Sequence, residues 1–423
     1  MGERHAIPLQ PAWRRAEVHI FDEVPEALAL VLWQGLRHLR AWHQAPASRR
    51  AELFHPHPRL SAESRLRDAR AAAPELRTAL NGLLSITRSP LAAADRDVAA
   101  ACAEIARWAE RQGHAQTAIV FAEAAAVLDG GDPALANHAG RLTRNAGEFA
   151  RADLWFQRAI GLARGADASV EYTRAQLGYG RLWHTLGDVE RARKHYNRGS
   201  VAAMRQGLEW LAAEAQHDIF ALLIEFARYD EARLHAQRAL RWYPKQHKRF
   251  PAFAADFAYL LVCTQHFSAA APLLREAVRK IRTPNVRAVV AGLYRRALAG
   301  AGKTAHLEAA RRRILGLTDD AECLAGAHIH IGEAGRFAAC WEMAARDAAM
   351  GLALAAQHGD ANLEYLARNL AGKISSRAPT PENVELLDSG VARLVDELAV
   401  RLERWNPGRD VQSRSAVRSA WVA

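Results

Sequence analysis

Apolar positions in this chain recur at helical spacing in block after block. Short breaks divide the blocks: Gly130-Gly131-Asp132-Pro133, Gly165-Ala166-Asp167, Tyr243-Pro244, Thr283-Pro284 and Gly359-Asp360. Apolar residues three and four apart lie on one face of a helix, and Gly, Pro and Asp are the residues that stop or start one. Two blocks agree position by position at a shift of 40. The first runs Gly147-Glu148-Phe149-Ala150-Arg151-Ala152, then Trp155-Phe156 and Ala159. The second runs Gly187-Asp188-Val189-Glu190-Arg191-Ala192, then Tyr196 and Gly199. A fixed internal period means stacked structural units, each too small to bury its apolar face alone.

Helix–turn–helix units are expected to start near 99, 133, 173, 213, 251, 288 and 321. Their turns are expected at Gly113, Gly147, Gly187, Ala227, Cys263-Thr264-Gln265, Gly302 and Gly335. A small residue then lets the second helix pack closely: Ala118, Ala152, Ala192, Ala232 and Ala270, replaced by Leu307 and Cys340. Phe156, Tyr196 and Leu274 follow as anchors.

The flanks do not carry this pattern. Glu23–His43 reads as a helix with Leu28, Leu32, Leu36, Leu39 and Trp42 on one face. His55-Pro56-His57-Pro58 breaks the chain, and shorter helices are expected at 62–72 and 74–86. A helix-turn-helix reader of DNA does not fit there, since the link has no glycine turn and the second helix is poor in Arg, Asn and Gln. At the other end, Glu382–Trp405 reads as one amphipathic helix with Leu386, Leu387, Val391, Leu394, Val395, Leu398 and Leu402 in a stripe. The organisation expected is an N-terminal helical segment (1–97) covering the first unit, repeats (98–375), a capping helix (376–406) and a disordered basic tail (407–423).

The turn glycine, packing alanine and aromatic anchor resemble the second half of a tetratricopeptide repeat (TPR), in the longer form found in bacterial regulatory and signal-sensing proteins. The resemblance implies an all-α fold, a right-handed superhelical solenoid of antiparallel helix pairs, whose first helices line a groove for a peptide or protein. Carried over position by position, it places Arg107, Arg111, Asn137, Arg141, Arg144, Asn145, Arg174, Arg181, His184, His217 and Arg296 in that groove, with Glu214, Asp218 and Glu225 reversing the sign at the fourth unit. Guanidinium forks bind carboxylates in pairs and Asn bonds an extended backbone, so an acidic partner is favoured. The Lys-and-Asn clamp of the chaperone-adaptor members is replaced by Arg at several places.

Charge adds a second reading. The net charge is +11, and Arg241–Arg313 holds 15 basic residues against Asp256, Glu276 and Glu308. Arg275, Arg279 and Arg282 share one helix face, as phosphate-tracking residues would. A nucleic-acid-associated regulator is therefore the alternative to a scaffold or sensor. The four cysteines, Cys102, Cys263, Cys323 and Cys340, form no C-x-x-C pair and read as buried free thiols of a reducing compartment. No signal-peptide layout opens the chain, Ala6 stands where a myristoylation motif wants Ser or Thr, and no apolar run approaches a membrane span. A cytoplasmic protein with no membrane partner is expected.

No motif supports an enzyme or a cofactor. Ala297-Leu298-Ala299-Gly300-Ala301-Gly302-Lys303-Thr304 fits a loose phosphate-loop pattern, but it follows a helix rather than a strand and falls on a repeat turn. His328 and His330, near Cys323 and Glu333, stand about 200° apart on a helix and share no metal-binding face.

Overall fold

The computed structural model describes residues 19–54, 69 and 73–406. The His-Pro break at 55–58 and the basic tail lie outside the described residues, as does the expected helix at 62–72 apart from Ala69. Every regular element described is helical. In chain order these are α1 (Glu26–Gln44), α2 (Arg77–Arg88), α3 (Asp95–Gln112), α4 (Ala115–Leu128), α5 (Pro133–Asn145), α6 (Phe149–Gly165), α7 (Ser169–Thr185), α8 (Val189–Arg205) and α9 (Glu209–Glu225). They continue with α10 (Tyr229–Trp242), α11 (Phe250–Cys263), α12 (Phe267–Lys280), α13 (Pro284–Gly300), α14 (Leu307–Leu315), α15 (Ala321–Phe337), α16 (Trp341–His358), α17 (Ala361–Ser375) and α18 (Ser389–Glu403). None is long and apolar enough to cross a membrane. The chain forms two compact units, Met1–Tyr179 and Gly180–Ala423.

Seven hairpins, α3–α4 to α15–α16, share one turn. In each, one residue adopts left-handed φ: Gly113, Gly147, Gly187, Ala227, Gln265, Gly302 and Ala339. The residue after it donates its N–H back to the first helix, as Glu148 does to Thr143 O and Arg228 to Leu223 O. This leaves few orphan carbonyls at the helix end. Five residues past each turn comes the close-packing position: Ala118, Ala152, Ala192, Ala232, Ala270, Leu307 and Ala344, all buried.

The seventh hairpin corrects the sequence reading. Its turn is Ala339, not Gly335, and its packing residue is Ala344, not Cys340. Gly335 lies inside α15, where an added Cβ would stand 2.7 Å from Met343 Cε and 3.3 Å from Ala344 Cβ. That glycine serves helix contact rather than the turn.

Contact between helices is set by aromatic knobs over glycine. Phe156 is fully buried, and a Cβ at Gly178 would come within 2.4 Å of its ring. Tyr196 sits against Gly180 at 2.5 Å in the same sense. Side-chain carboxylates cap several helices: Asp132 accepts from Ala134 N, Asp188 from Arg191 N and Asp320 from Cys323 N.

In the first unit, α1 buries the expected Leu28, Leu32, Leu36, Leu39 and Trp42. The Glu23 carboxylate accepts from the N–H groups of Gln116 and Thr117 at the start of α4.

In the second unit, α18 begins at Ser389, capped by Asp388. Residues 382–388 are not helical. The helix packs on α11 and α12, where Leu398 and Leu402 are fully buried. It thus covers the middle of its unit rather than stacking on α17, and Leu386 is 87% exposed. The thiols also differ from expectation: Cys102 is buried, Cys263 and Cys323 are half-buried, and Cys340 is exposed.

Candidate functional site

The shared turn fixes a register along the first helix of every hairpin. Six residues before the left-handed residue stand, in order, Arg107, Arg141, Arg181, Ala221, Tyr259, Arg296 and Glu333. In α5 and α7 this column is already engaged. Arg141 donates to both oxygens of Glu110, at 2.5 and 2.7 Å, and His138 joins them. Burial would raise Glu110, but Arg141 and His138 hold it well below the usual carboxylate range. Arg181 bonds the buried Asp218 at 2.7 Å, and Arg249 takes its other oxygen at 2.6 Å. Burial opposes the charge there too, yet the two arginines hold Asp218 down to about 2.

The other groove candidates behave similarly. His184 shares a 2.5 Å hydrogen bond with Glu225, which outweighs burial and raises the imidazole. His217 is buried between the Tyr243 hydroxyl (2.9 Å) and Asp256 (2.7 Å). Burial pushes the Tyr243 phenol far up. Arg174 lies 4.0 Å from Glu171, and Arg144 donates to Asn145. Asn137 keeps a buried Oδ1 without a hydrogen-bond partner. Arg107 and Arg111 are exposed on α3.

Arg296 differs. It opens on a cavity of about 490 Å³ within the second unit. The inner ends of α9, α11, α13, α15 and α17 supply the walls, with Ala378, Pro379 and Pro381 closing one side. Tyr229, Tyr259, Phe267, Phe337 and Tyr365 give the lining an aromatic character. Its charge is uneven. The buried Glu333 carboxylate accepts from Arg336 Nε at 2.8 Å and Lys373 Nζ at 3.0 Å, with Arg296 at 3.9 Å. Burial would raise Glu333, but three cations hold it at about 2. The second carboxylate in the wall, Glu225, is taken by His184 and by Asn362 Nδ2 at 2.6 Å. Three cations thus face one available acid. Besides the 3.9 Å pair with Glu333, Arg296 approaches the Tyr259 ring at 5.8 Å and keeps a buried Nε without a hydrogen-bond partner; burial would lower its pKa, but Glu333 and Tyr259 raise it. Volume and lining match a site for a compact ligand, and the excess charge favours an anionic one.

The turn at Gly302-Lys303 is the end of α13. Lys303 N donates to Leu298 O, so carbonyls rather than N–H groups gather there, the wrong polarity for a phosphate cradle. His328 bonds Asp347 at 2.7 Å while His330 faces Tyr259 at 5.5 Å, so the two serve different neighbours. The basic stretch does not form one face. Arg249 goes to Asp218 and Glu214, Arg296 to Glu333, and Arg311 to Asp347. Arg275 and Arg279 remain 61% and 72% exposed, both beside Glu276, and Arg282 is exposed.

Turn, packing alanine, aromatic knob and alternating helices now stand together. In fold they resemble repeats of the tetratricopeptide type. No family model and no curated protein matches the chain. Among solved structures, a tetratricopeptide repeat protein from Parabacteroides merdae is 15% identical over 66% of this chain and 98% of that one, with a TM-score of 0.41. A Rap protein complexed with Competence and Sporulation Factor is 12% identical over 83% of this chain and 99% of that one, at 0.49. The TPR2AB-domain:pHSP90 complex of yeast Sti1 is 14% identical over 66% and 98%, at 0.28.

Of the groove residues expected from this TPR register, Arg296 and Glu225 line the cavity. Tyr259, Glu333, Arg336, Tyr365 and Lys373 were missed. For Glu333 a signal existed: counting six back from Ala339 reaches it, whereas counting from Gly335 reaches Ile329.

Proposed function

We propose that this TPR protein is a non-enzymatic binding scaffold or sensor whose ligand site is the cavity of the second unit. The ligand is a peptide or protein segment that presents an acidic group to Arg296, Arg336 and Lys373 and lays apolar or aromatic side chains on Tyr259, Phe337 and Tyr365. The observation that carries this reading is three cations around one available carboxylate in an aromatic cavity. A bound anion offsets the buried excess charge, and exclusion of water strengthens the attraction. The arginines of α5 and α7 are already committed to Glu110 and Asp218, so they serve structure.

The test compares the full-length chain with its Arg296→Gln/Lys373→Gln variant. Both are tagged, exposed to nuclease-treated host lysate, and analysed for bound peptide and protein. A partner kept by the wild type and lost by the variant supports the cavity; identical bound sets remove it. The nucleic-acid reading ranks second because Arg249, Arg296 and Arg311 of the basic stretch are paired with internal acids. A salt-dependent shift of labelled duplex DNA, abolished by Arg275→Ala/Arg279→Ala/Arg282→Ala, would reverse that order.

A further inference from the structure

We infer that residues 376–388 are an autoinhibitory strap over this cavity, a lid that an anionic ligand displaces. The inference rests on the cavity being the binding site and adds how access to it is controlled.

The strap leaves α17 through a left-handed residue, Arg377, and crosses the cavity edge without regular secondary structure. Ala378, Pro379 and Pro381 form part of the wall. Its attachments are polar. Thr380 Oγ1 donates to Phe337 O at 3.4 Å, and Asp388 at its far end pairs with Arg233 at 2.7 Å. Arg336 donates at 3.0 Å to each of the carbonyls of Ala378 and Pro379. Val384 N donates to Gln265 O, and Val384 O accepts from the His266 ring, both at 2.9 Å. Asn383 exchanges two hydrogen bonds with Ser268. Its apolar side chains contribute little: Val384 is 41% and Leu386 87% exposed.

Beyond Asp388 the character changes. Helix α18 buries Leu398 and Leu402, and Trp405 just past its end is buried too; Arg401 donates to the carbonyls of Leu240 and Tyr243, and Trp405 Nε1 donates to His247 O. A weakly held segment thus runs between two firmly held helices and can lift without either leaving. Segments with little apolar burial and exposed hydrogen bonds occupy the low-stability end of a fold.

Arg336 couples the lid to the site. The guanidinium that holds the strap carbonyls also bonds Glu333 inside the cavity. A ligand anion that draws Arg336 inward competes with the strap for the same N–H groups. Ligand entry and strap closure are then opposed.

Cys263 lines the cavity and serves as a reporter that needs no known ligand. The full-length chain is treated with N-ethylmaleimide and labelling is followed at each cysteine by peptide-resolved mass spectrometry. Asn383→Ala/Val384→Pro removes the strap's bonds to Ser268 and Gln265. The expected result is at least tenfold faster labelling of Cys263 with the buried Cys102 still protected; an unchanged Cys263 rate overturns the lid. Hydrogen exchange on the wild-type chain guards against a variant that fails to fold. The Val384 amide should exchange at least tenfold faster than those of Leu398 and Leu402, and equal protection also overturns the proposal. Both readouts concern the strap alone, so an unsuccessful ligand search leaves them intact.

Discussion

Arg181 and Arg296 occupy the same place in the repeat, six residues before the left-handed turn residue, yet their surroundings differ. Arg181 meets a buried carboxylate on the next inner helix, and Arg249 completes that carboxylate from the other side. Around Arg296 the ratio is reversed: Glu333 already serves Arg336 and Lys373. A repeat register therefore says where a side chain points but not whether its charge is spoken for. Availability depends on acids about 40 residues away, contributed by another unit.

The strongest way to break this contrast is to remove the one acid. Glu333→Gln leaves the inward Arg296 and Arg336, with the half-exposed Lys373, without their shared counter-charge, and should cost about 3–5 kcal/mol in urea unfolding. The wild type should show the matching pH effect. Glu333 sits at about 2 when folded against an ordinary 4.5, so its contribution is fully present above about pH 4.5 and is lost as pH falls toward 2. A stability loss under about 1 kcal/mol would mean that the cations are not concentrated on this carboxylate.

The arginines themselves come next. Arg181→Gln takes a charged partner from the buried Asp218 and should cost about 1–3 kcal/mol. Arg296→Gln keeps most of the packing and removes excess buried charge, so it should change stability by less than about 1 kcal/mol in either direction while weakening ligand capture. Equal losses would erase the distinction between an engaged and an available arginine.

How much of this was legible in the sequence follows from the same contrast. The left-handed turn recurs seven times and the packing alanine in six of those hairpins, so the hairpins and their order could be read directly. The misplaced seventh turn shows the limit: Gly335 attracts the reading, but close approach to Met343 and Ala344 employs it. Alanine at 339 took the left-handed turn unannounced. The cavity was nearly invisible, because Tyr259, Glu333 and Lys373 come from three helices and acquire meaning only together. The +12 stretch was only partly legible for a related reason. Asp218, Glu214, Glu333 and Asp347, which engage its inward arginines, lie outside it.

A third electrostatic regime sharpens the comparison. Where α17 begins, Asp360 is buried near Glu322 and Glu225; burial and those acids push its carboxyl up to about 7, against the N–H of Leu363 and the nearby His184. A carboxyl raised on folding contributes most below its unfolded value of 3.8, and that contribution is lost as pH rises through 7. Asn at this position keeps the cap on Leu363 N and carries no charge. Asp360→Asn should therefore stabilise by about 1–2 kcal/mol at pH 8 and by nothing measurable at pH 4. Equal gains at both pH values would point to a packing effect instead.

The smallest effect concerns the turns that set the register. Gly147 and Gly187 take left-handed φ without a Cβ, whereas Ala227 takes φ 55° and Ala339 φ 55° with one. An L-residue there costs about 1–2 kcal/mol, and glycine returns part of that gain through the entropy of the unfolded chain. Ala227→Gly and Ala339→Gly should each raise stability by up to about 1 kcal/mol in urea unfolding. The reverse change at Gly187 should cost a similar amount. Because Ala227 lines the cavity and Ala339 follows Glu333, whereas Gly147 and Gly187 lie earlier in the chain, a gain without loss of ligand capture would show that this strain is incidental. Loss of capture with the gain would instead tie the strained turns to the positions of Glu225 and Glu333.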